Sequence, residues 1–130
     1  MSKTGSCLCG DVSFTYKSEP GMFLMCHCTD CQKSTGSPVA SIIIIPEDDF
    51  SVNGSTSSYE CEAKVTRSFC IICGSQIFSR IESAPGVVAI KTGVLDEQPN
   101  IKPNLVCWTK SKPNWFEINH PEIAFEENPN

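Results

Sequence analysis

The chemistry of this chain is concentrated in nine cysteines whose spacing is far from random. Cys7 and Cys9 form a C-x-C pair, Cys26, Cys28 and Cys31 form C-x-C-x-x-C, and Cys70 and Cys73 form C-x-x-C, while Cys61 and Cys107 stand alone. Reduced thiols at such spacings read as metal ligands. Two sulfurs on a tight knuckle can both approach one zinc ion at about 2.3 Å, and two such half-sites complete a tetrahedron. Glycine follows both pairs, at Gly10 and Gly74, where the backbone has to turn sharply after the second sulfur. Cys7 and Cys9 are therefore expected to join Cys70 and Cys73 in a closed, four-thiolate structural zinc site.

The remaining group, Cys26, Cys28 and Cys31, supplies three thiolates. Three protein ligands and one vacant position is the pattern of a catalytic zinc, so this set is expected to hold a second, reactive ion, two per chain in all. The closed alternative takes His27, Cys61 or Cys107 as a fourth ligand. His27 lies between two ligating cysteines, so its ring is expected to point away from the metal and to stack. Zinc bound by three thiolates carries a formal charge of about -1 and is a weaker Lewis acid than zinc held by three neutral imidazoles. Sulfur chemistry is then a more natural use than hydrolysis: a substrate thiol would enter the vacant position and lose its proton. His27 and Asp30 are the nearest candidates for a general base, and for both a structural or solvent-facing role is the plainer expectation.

Short strands have to position these knuckles. Val12, Phe14 and Tyr16 alternate with polar residues as a half-buried strand does, and the β-branched run from Val39 to Ile45 suits a central strand buried on both faces. Val65, Arg67 and Phe69 lead into Cys70 and residues 76–81 leave the same knuckle, which makes a hairpin with a metal at its tip. Residues 87–90, 105–108 and 115–118 are further strand candidates between Pro and Gly punctuation. Only residues 30–34 suggest a turn or two of helix. The fold class expected is mainly β, with zinc-stabilised antiparallel sheets.

At 130 residues the chain has the size of one domain, with a core over about 5–118 and a polar, acidic tail over 119–130, which contains His120 and is expected to be loosely attached. Apolar residues make up 40% and charged residues 19%, enough to fill a core. A net charge of -5 with no cluster of Lys and Arg argues against nucleic-acid binding, and the longest aliphatic run, Ile42 to Ile45, is far too short to span a membrane. The opening MSKTGSCLCG lacks a signal-peptide core, so a cytoplasmic or nuclear location is expected, where thiols stay reduced and bind metal rather than pair.

Three segments together resemble one family. Gly5-Ser6-Cys7-Leu8-Cys9-Gly10, then Cys26-His27-Cys28-Thr29-Asp30-Cys31, then Arg67-Ser68-Phe69-Cys70-Ile71-Ile72-Cys73-Gly74-Ser75 follow the pattern of the glutathione-dependent formaldehyde-activating enzymes, which include centromere-protein-V-like proteins and share the Mss4-like fold. Lys91 to Asp96 and Lys112 to Trp115 continue the match, over residues 5 to about 118. The resemblance implies a structural zinc on Cys7, Cys9, Cys70 and Cys73, a catalytic zinc on Cys26, Cys28 and Cys31, and the joining of formaldehyde to glutathione or the reverse carbon-sulfur cleavage of S-hydroxymethylglutathione. Val106 stands where many members carry a histidine, which bears on the substrate rather than on the metal sites.

A tripeptide thiol such as glutathione needs donors for its carboxylates and a groove to lie in. Ser75, Lys91, Lys110 and Lys112 are candidate donors and Trp108 or Trp115 a candidate wall, against the plainer expectation of surface lysines and core tryptophans. Two functional classes follow: a zinc-dependent carbon-sulfur lyase or synthase acting on small thiol adducts, or a non-enzymatic zinc module for protein partners. They separate at the second metal, open in the first class and closed or absent in the second.

Overall fold

The computed structural model describes residues 2–117 and 123–129. Strands β1 (Lys3–Ser6), β2 (Ser13–Tyr16) and β3 (Met22–Cys26) lead into one helix, α1 (Thr29–Thr35). Then come β4 (Ala40–Pro46), β5 (Phe50–Asn53), β6 (Thr56–Glu60), β7 (Val65–Cys70), β8 (Gln76–Ile81), β9 (Val87–Lys91) and β10 (Leu105–Cys107). β1, β2 and β5 form a three-stranded sheet, and the other strands form a seven-stranded sheet in the order β10-β3-β4-β9-β8-β7-β6. The pairings are antiparallel except that β10 runs parallel to β3, an exception to the all-antiparallel expectation. A parallel neighbour needs a long crossover, and the segment between β3 and β10 supplies it.

The period of two along the central strands explains why one sheet carries two cores. On β4, Ile43 and Ile45 turn to a core that they share with Phe14 and Tyr16 of the small sheet, and Ala40 and Ile42 turn to a second cluster with Cys26, Cys31 and Cys107. β9 divides in the same way, Val88 and Ile90 to the first core and Ala89 to the second. The expectation of a central strand buried on both faces is met at β4, where the run of four isoleucines serves both clusters.

Two expectations fail at the C-terminal end. Residues 115–117 are not strand: the Phe116 N–H returns to the Pro113 carbonyl at 3.0 Å and Lys112 Nζ bonds both the Pro113 and Phe116 carbonyls, at 3.2 and 2.6 Å, closing a turn whose backbone groups are then unavailable to a ladder. Ile118 and His120 lie outside the described residues. Trp115 is exposed rather than core. The tail is also held, over 123–129. Val106 N–H donates to the Ile123 carbonyl at 2.9 Å, Phe125 N–H donates back to the Val106 carbonyl at 2.9 Å, and Trp108, with a positive φ of 60°, donates through its backbone N–H to Glu127 and through Nε1 to Asn128. β10 offers the tail its free edge, and Phe125 packs onto the second core.

β1 and β2 approach so closely that Gly5 has no room for a side chain: a Cβ there would lie 2.1 Å from Phe14 Cζ and 2.4 Å from the Val94 carbonyl oxygen. Gly5→Ala is expected to lower stability by about 1–3 kcal/mol, the usual cost of overpacking, read as a lower urea midpoint at unchanged slope. Gly21→Ala, whose Cβ meets nothing within 4 Å, is the control and should leave the midpoint in place; equal midpoints for the two variants would contradict the packing of β1 on β2.

Candidate metal centres and the cleft between them

The first cluster forms where two knuckles meet. After β1 the chain turns at Gly10, with φ of 86°, and Gly10 N–H returns to the Cys7 carbonyl. After β7 it turns at Gly74, with φ of 80°, and Gly74 N–H returns to the Cys70 carbonyl at 2.8 Å. Both are backbone conformations that glycine adopts without strain. The sulfurs of Cys7, Cys9, Cys70 and Cys73 then lie within 4.8 Å of one another. Peptide N–H groups point at them: Val12 at Cys7 Sγ (3.3 Å), and Ile72 and Cys73 at Cys70 Sγ (3.4 and 3.5 Å). The Ser75 hydroxyl, 3.1 Å from Cys73 Sγ, pulls that thiol down to about 5. Four sulfurs with thiolate-directed donors match the chemistry of a soft divalent ion, and zinc fits this set.

The second cluster is built from the end of β3 and the start of α1. Cys26 closes the strand, Cys28 caps the helix with its sulfur accepting the Cys31 N–H at 3.2 Å, and Cys31 is buried in the first turn. Their three sulfurs also lie within 4.8 Å of one another. Crowded together in a buried place, they disfavour ionisation: Cys107 and then Cys28 push the Cys26 thiol up, and Cys26 pushes Cys31 up. A cation is what such a set requires to exist as thiolates, so the donor chemistry again fits zinc.

None of the three expected fourth-ligand candidates joins that group among the described residues. His27 is fully buried on the other side of its strand end, with Nδ1 2.8 Å from the Pro38 carbonyl and its ring edge-on to Phe116 at 5.0 Å. Burial pushes the imidazole down, which keeps it neutral. Cys107 pairs with Cys26 across the parallel ladder and its carbonyl accepts the His27 N–H, yet its sulfur stays outside the set. Cys61 is held instead by Arg67, whose Nη1 reaches its sulfur at 3.3 Å. Asp30 is exposed in the first turn of α1.

Two buried cations face this cluster, and one of them was not legible as a functional residue. The antiparallel registers set Arg67 opposite Ser79 and Ser79 opposite Ala89, which belongs to the second core, and set Lys91 opposite Ile42, which does too. Arg67 is 8% exposed and Lys91 9%. Arg67 Nη2 lies 3.9 Å from Cys31 Sγ, and Lys91 Nζ has the Ser79 hydroxyl at 3.5 Å. Burial pushes the Lys91 ammonium down, and the charge of Cys31 opposes that shift. The signal available in the sequence was an arginine and a lysine at alternating positions of strands that run beside metal knuckles.

An open cleft of about 380 Å³ lies next to Lys91, lined also by Ser34 and Thr35 of α1, by Ser41, and by Ser75 and Gln76 beside the first cluster. Gln76 Nε2 binds the Ser34 carbonyl while its buried Oε1 has no partner among the described residues. Of the candidate donors, Ser75 and Lys91 thus reach one cleft. Lys110 pairs with Glu127 and Lys112 closes the turn at Pro113, so neither contributes there. Trp108 packs against the second core and Trp115 lines a separate shallow groove with Gln32 and Pro113.

The site therefore defines a mainly β protein with short helices and two cysteine clusters poised to hold metal, one of four sulfurs and one of three. The family model for the glutathione-dependent formaldehyde-activating enzyme matches residues 2–111, and the chain belongs to that family. A structural-genomics crystal structure of a Rhodobacter sphaeroides protein has the same fold, with a TM-score of 0.63 and 17% identity over 94% of this chain and 98% of that one. No curated protein matches the chain.

The two clusters predict different losses. Cys70→Ser removes a sulfur of the cluster that ties β7 to the N-terminal strand and is expected to lower the thermal midpoint strongly, since an ion held there would contribute folding free energy directly. Cys28→Ser should leave circular dichroism near that of the parent, with a much smaller change in midpoint. Equal losses would contradict the expected division between a stapling cluster and one on which the fold does not depend.

Proposed function

We propose that this protein is a zinc-dependent carbon-sulfur lyase or synthase acting on glutathione-type thiol adducts such as S-hydroxymethylglutathione. The observation that carries the reading is the set of three mutually close sulfurs of Cys26, Cys28 and Cys31, with no fourth protein donor joining it among the described residues. In this reading two zinc ions are bound per chain. Cys7, Cys9, Cys70 and Cys73 hold the structural one, and Cys26, Cys28 and Cys31 hold the catalytic one.

Zinc in the three-sulfur cluster would supply an electron-pair acceptor that favours a substrate sulfur as thiolate over the neutral thiol. In the forward direction a carbon-sulfur bond forms between thiol and formaldehyde, the thiol proton ending on the former carbonyl oxygen; the reverse breaks that bond and returns the proton to sulfur. The chain's own residues bind and orient. Ser34, Ser41 and Ser75 offer hydroxyls along the cleft, and Lys91 in its lining favours negative charge. His27, neutral and sealed between Pro38 and Phe116, orients the strand end rather than carrying a proton. Val106 is fully buried in β10, an apolar position that leaves substrate contacts to other residues.

A second reading, a zinc module for protein partners, has one observation in its favour: the knuckle residues Leu8, Ile71 and Ile72 are exposed around the four-sulfur cluster. Cobalt-loaded protein separates the two. On the enzyme reading, glutathione changes the ligand-field spectrum, Cys28→Ser abolishes that change, and the same substitution removes the acceleration of S-hydroxymethylglutathione exchange over the spontaneous rate. A spectrum and an exchange rate indifferent to thiols and their adducts would transfer the case to the partner-binding module.

A further inference from the structure

We propose that Arg67 and Lys91 are positioning residues that make the three-sulfur cluster selective for an anionic fourth ligand, a thiolate rather than a neutral donor. The proposal rests on the open-site reading above and deepens it by assigning the charge state of the ligand. Its starting point is a contrast between the two clusters. The four-sulfur cluster lies partly at the surface, with Cys9 exposed, and draws several peptide N–H groups and the Ser75 hydroxyl. Water and backbone dipoles can spread its charge. The three-sulfur cluster has Cys26 and Cys31 buried and draws fewer peptide N–H groups, that of Cys31 on Cys28 and that of Cys28 on Cys26. What it has instead is two full positive charges within the protein.

Neither cation has a carboxylate partner among the described residues, where the ion pairs found involve Lys3, Lys64, Arg80 and Lys110. A buried charge without a counter-charge is costly, and a buried pair broken on one side loses several kcal/mol as an order of magnitude. The counter-charge available is sulfur. Among the described residues, Arg67 forks between Cys31 and Cys61 with its buried Nε unpartnered, and Lys91 Nζ has the neutral Ser79 hydroxyl as its hydrogen-bond partner. Zinc with three thiolates has a formal charge of about -1, and a fourth thiolate makes it about -2. With Cys61 as the neutral thiol, Arg67 and Lys91 together balance the second state rather than the first. With a neutral fourth donor the pocket retains an excess positive charge; with an anionic one it is neutral. Lys91 also lines the open cleft beside Ser34, Ser41 and Ser75.

The test compares an anionic and a neutral probe on cobalt-loaded protein, with azide and imidazole titrated into the visible spectrum. Arg67→Gln and Lys91→Gln should each weaken azide about tenfold, the loss of one charge at close range in a partly screened site, and leave imidazole affinity nearly unchanged. Arg67→Lys, which keeps the charge, should restore most of the azide affinity. Retention of the thiolate-to-cobalt absorption reports that the cluster is intact, and Lys91→Gln carries the comparison by itself if Arg67→Gln does not fold. Equal weakening of both probes, or no weakening of either, would overturn the proposal while leaving the open site standing. A parent protein whose cobalt spectrum responds to no added ligand would overturn both.

Discussion

Cys7 and Cys9 meet Cys70 and Cys73 across a long stretch of chain, Cys9 and Cys70 being 61 residues apart, and much of the architecture depends on that contact. It fixes the end of the small sheet against the tip of the β7–β8 hairpin, so that β2 lies over β4 and β9 and the first core closes around Phe14, Tyr16, Ile43 and Ile90. Closing a loop of that length costs conformational entropy that grows only slowly with length, which makes a distant staple efficient. A metal at the junction adds binding free energy that exists only in the folded chain. The opposite face of the large sheet is then free to carry a second cluster whose ligands come from one local strand-to-helix turn and need no such closure.

That division of faces gives the two clusters different electrostatic surroundings. At the first, peptide dipoles and solvent meet the sulfurs; at the second, the registers of β7, β8 and β9 deliver Arg67 and Lys91 to the same side as Cys31. The tail completes this side by pairing along β10 and setting Phe125 against the second core, which reduces the access of water to Cys26 and Cys107. Low polarity around a sulfur-rich centre strengthens every charge interaction within it, favourable or not.

Much of this was legible because cysteine spacing and apolar runs are local signals. The two clusters follow from knuckle spacing with Gly10 and Gly74, and β4, β7, β8, β9 and α1 follow from runs whose period is visible over a few residues. β1, β3, β5 and β6 were not seen. β6, Thr56–Glu60, is exposed at every residue, and β1, Lys3–Ser6, contains a glycine kept small by Phe14, so neither displays an apolar alternation. The strand expected at 115–118 rested on aromatic residues whose backbone Lys112 and Pro113 bend into a turn. The second side of the tail and the burial of Lys91 and Arg67 are tertiary facts: both depend on which strand lies next to which, and β10 reaches β3 only through a parallel crossover. A buried lysine looks like a surface lysine until its cross-strand partner, here Ile42, is known.

The central claim, a closed four-sulfur site beside a three-sulfur site that takes an exogenous thiolate, is tested most directly by cadmium-113 resonance spectroscopy of the cadmium-loaded protein. Two signals are predicted, one at the position of a four-thiolate site and indifferent to added glutathione, the other at a three-thiolate position and moving toward the first as glutathione is added. A single signal, or two four-thiolate signals unmoved by glutathione, would contradict the account.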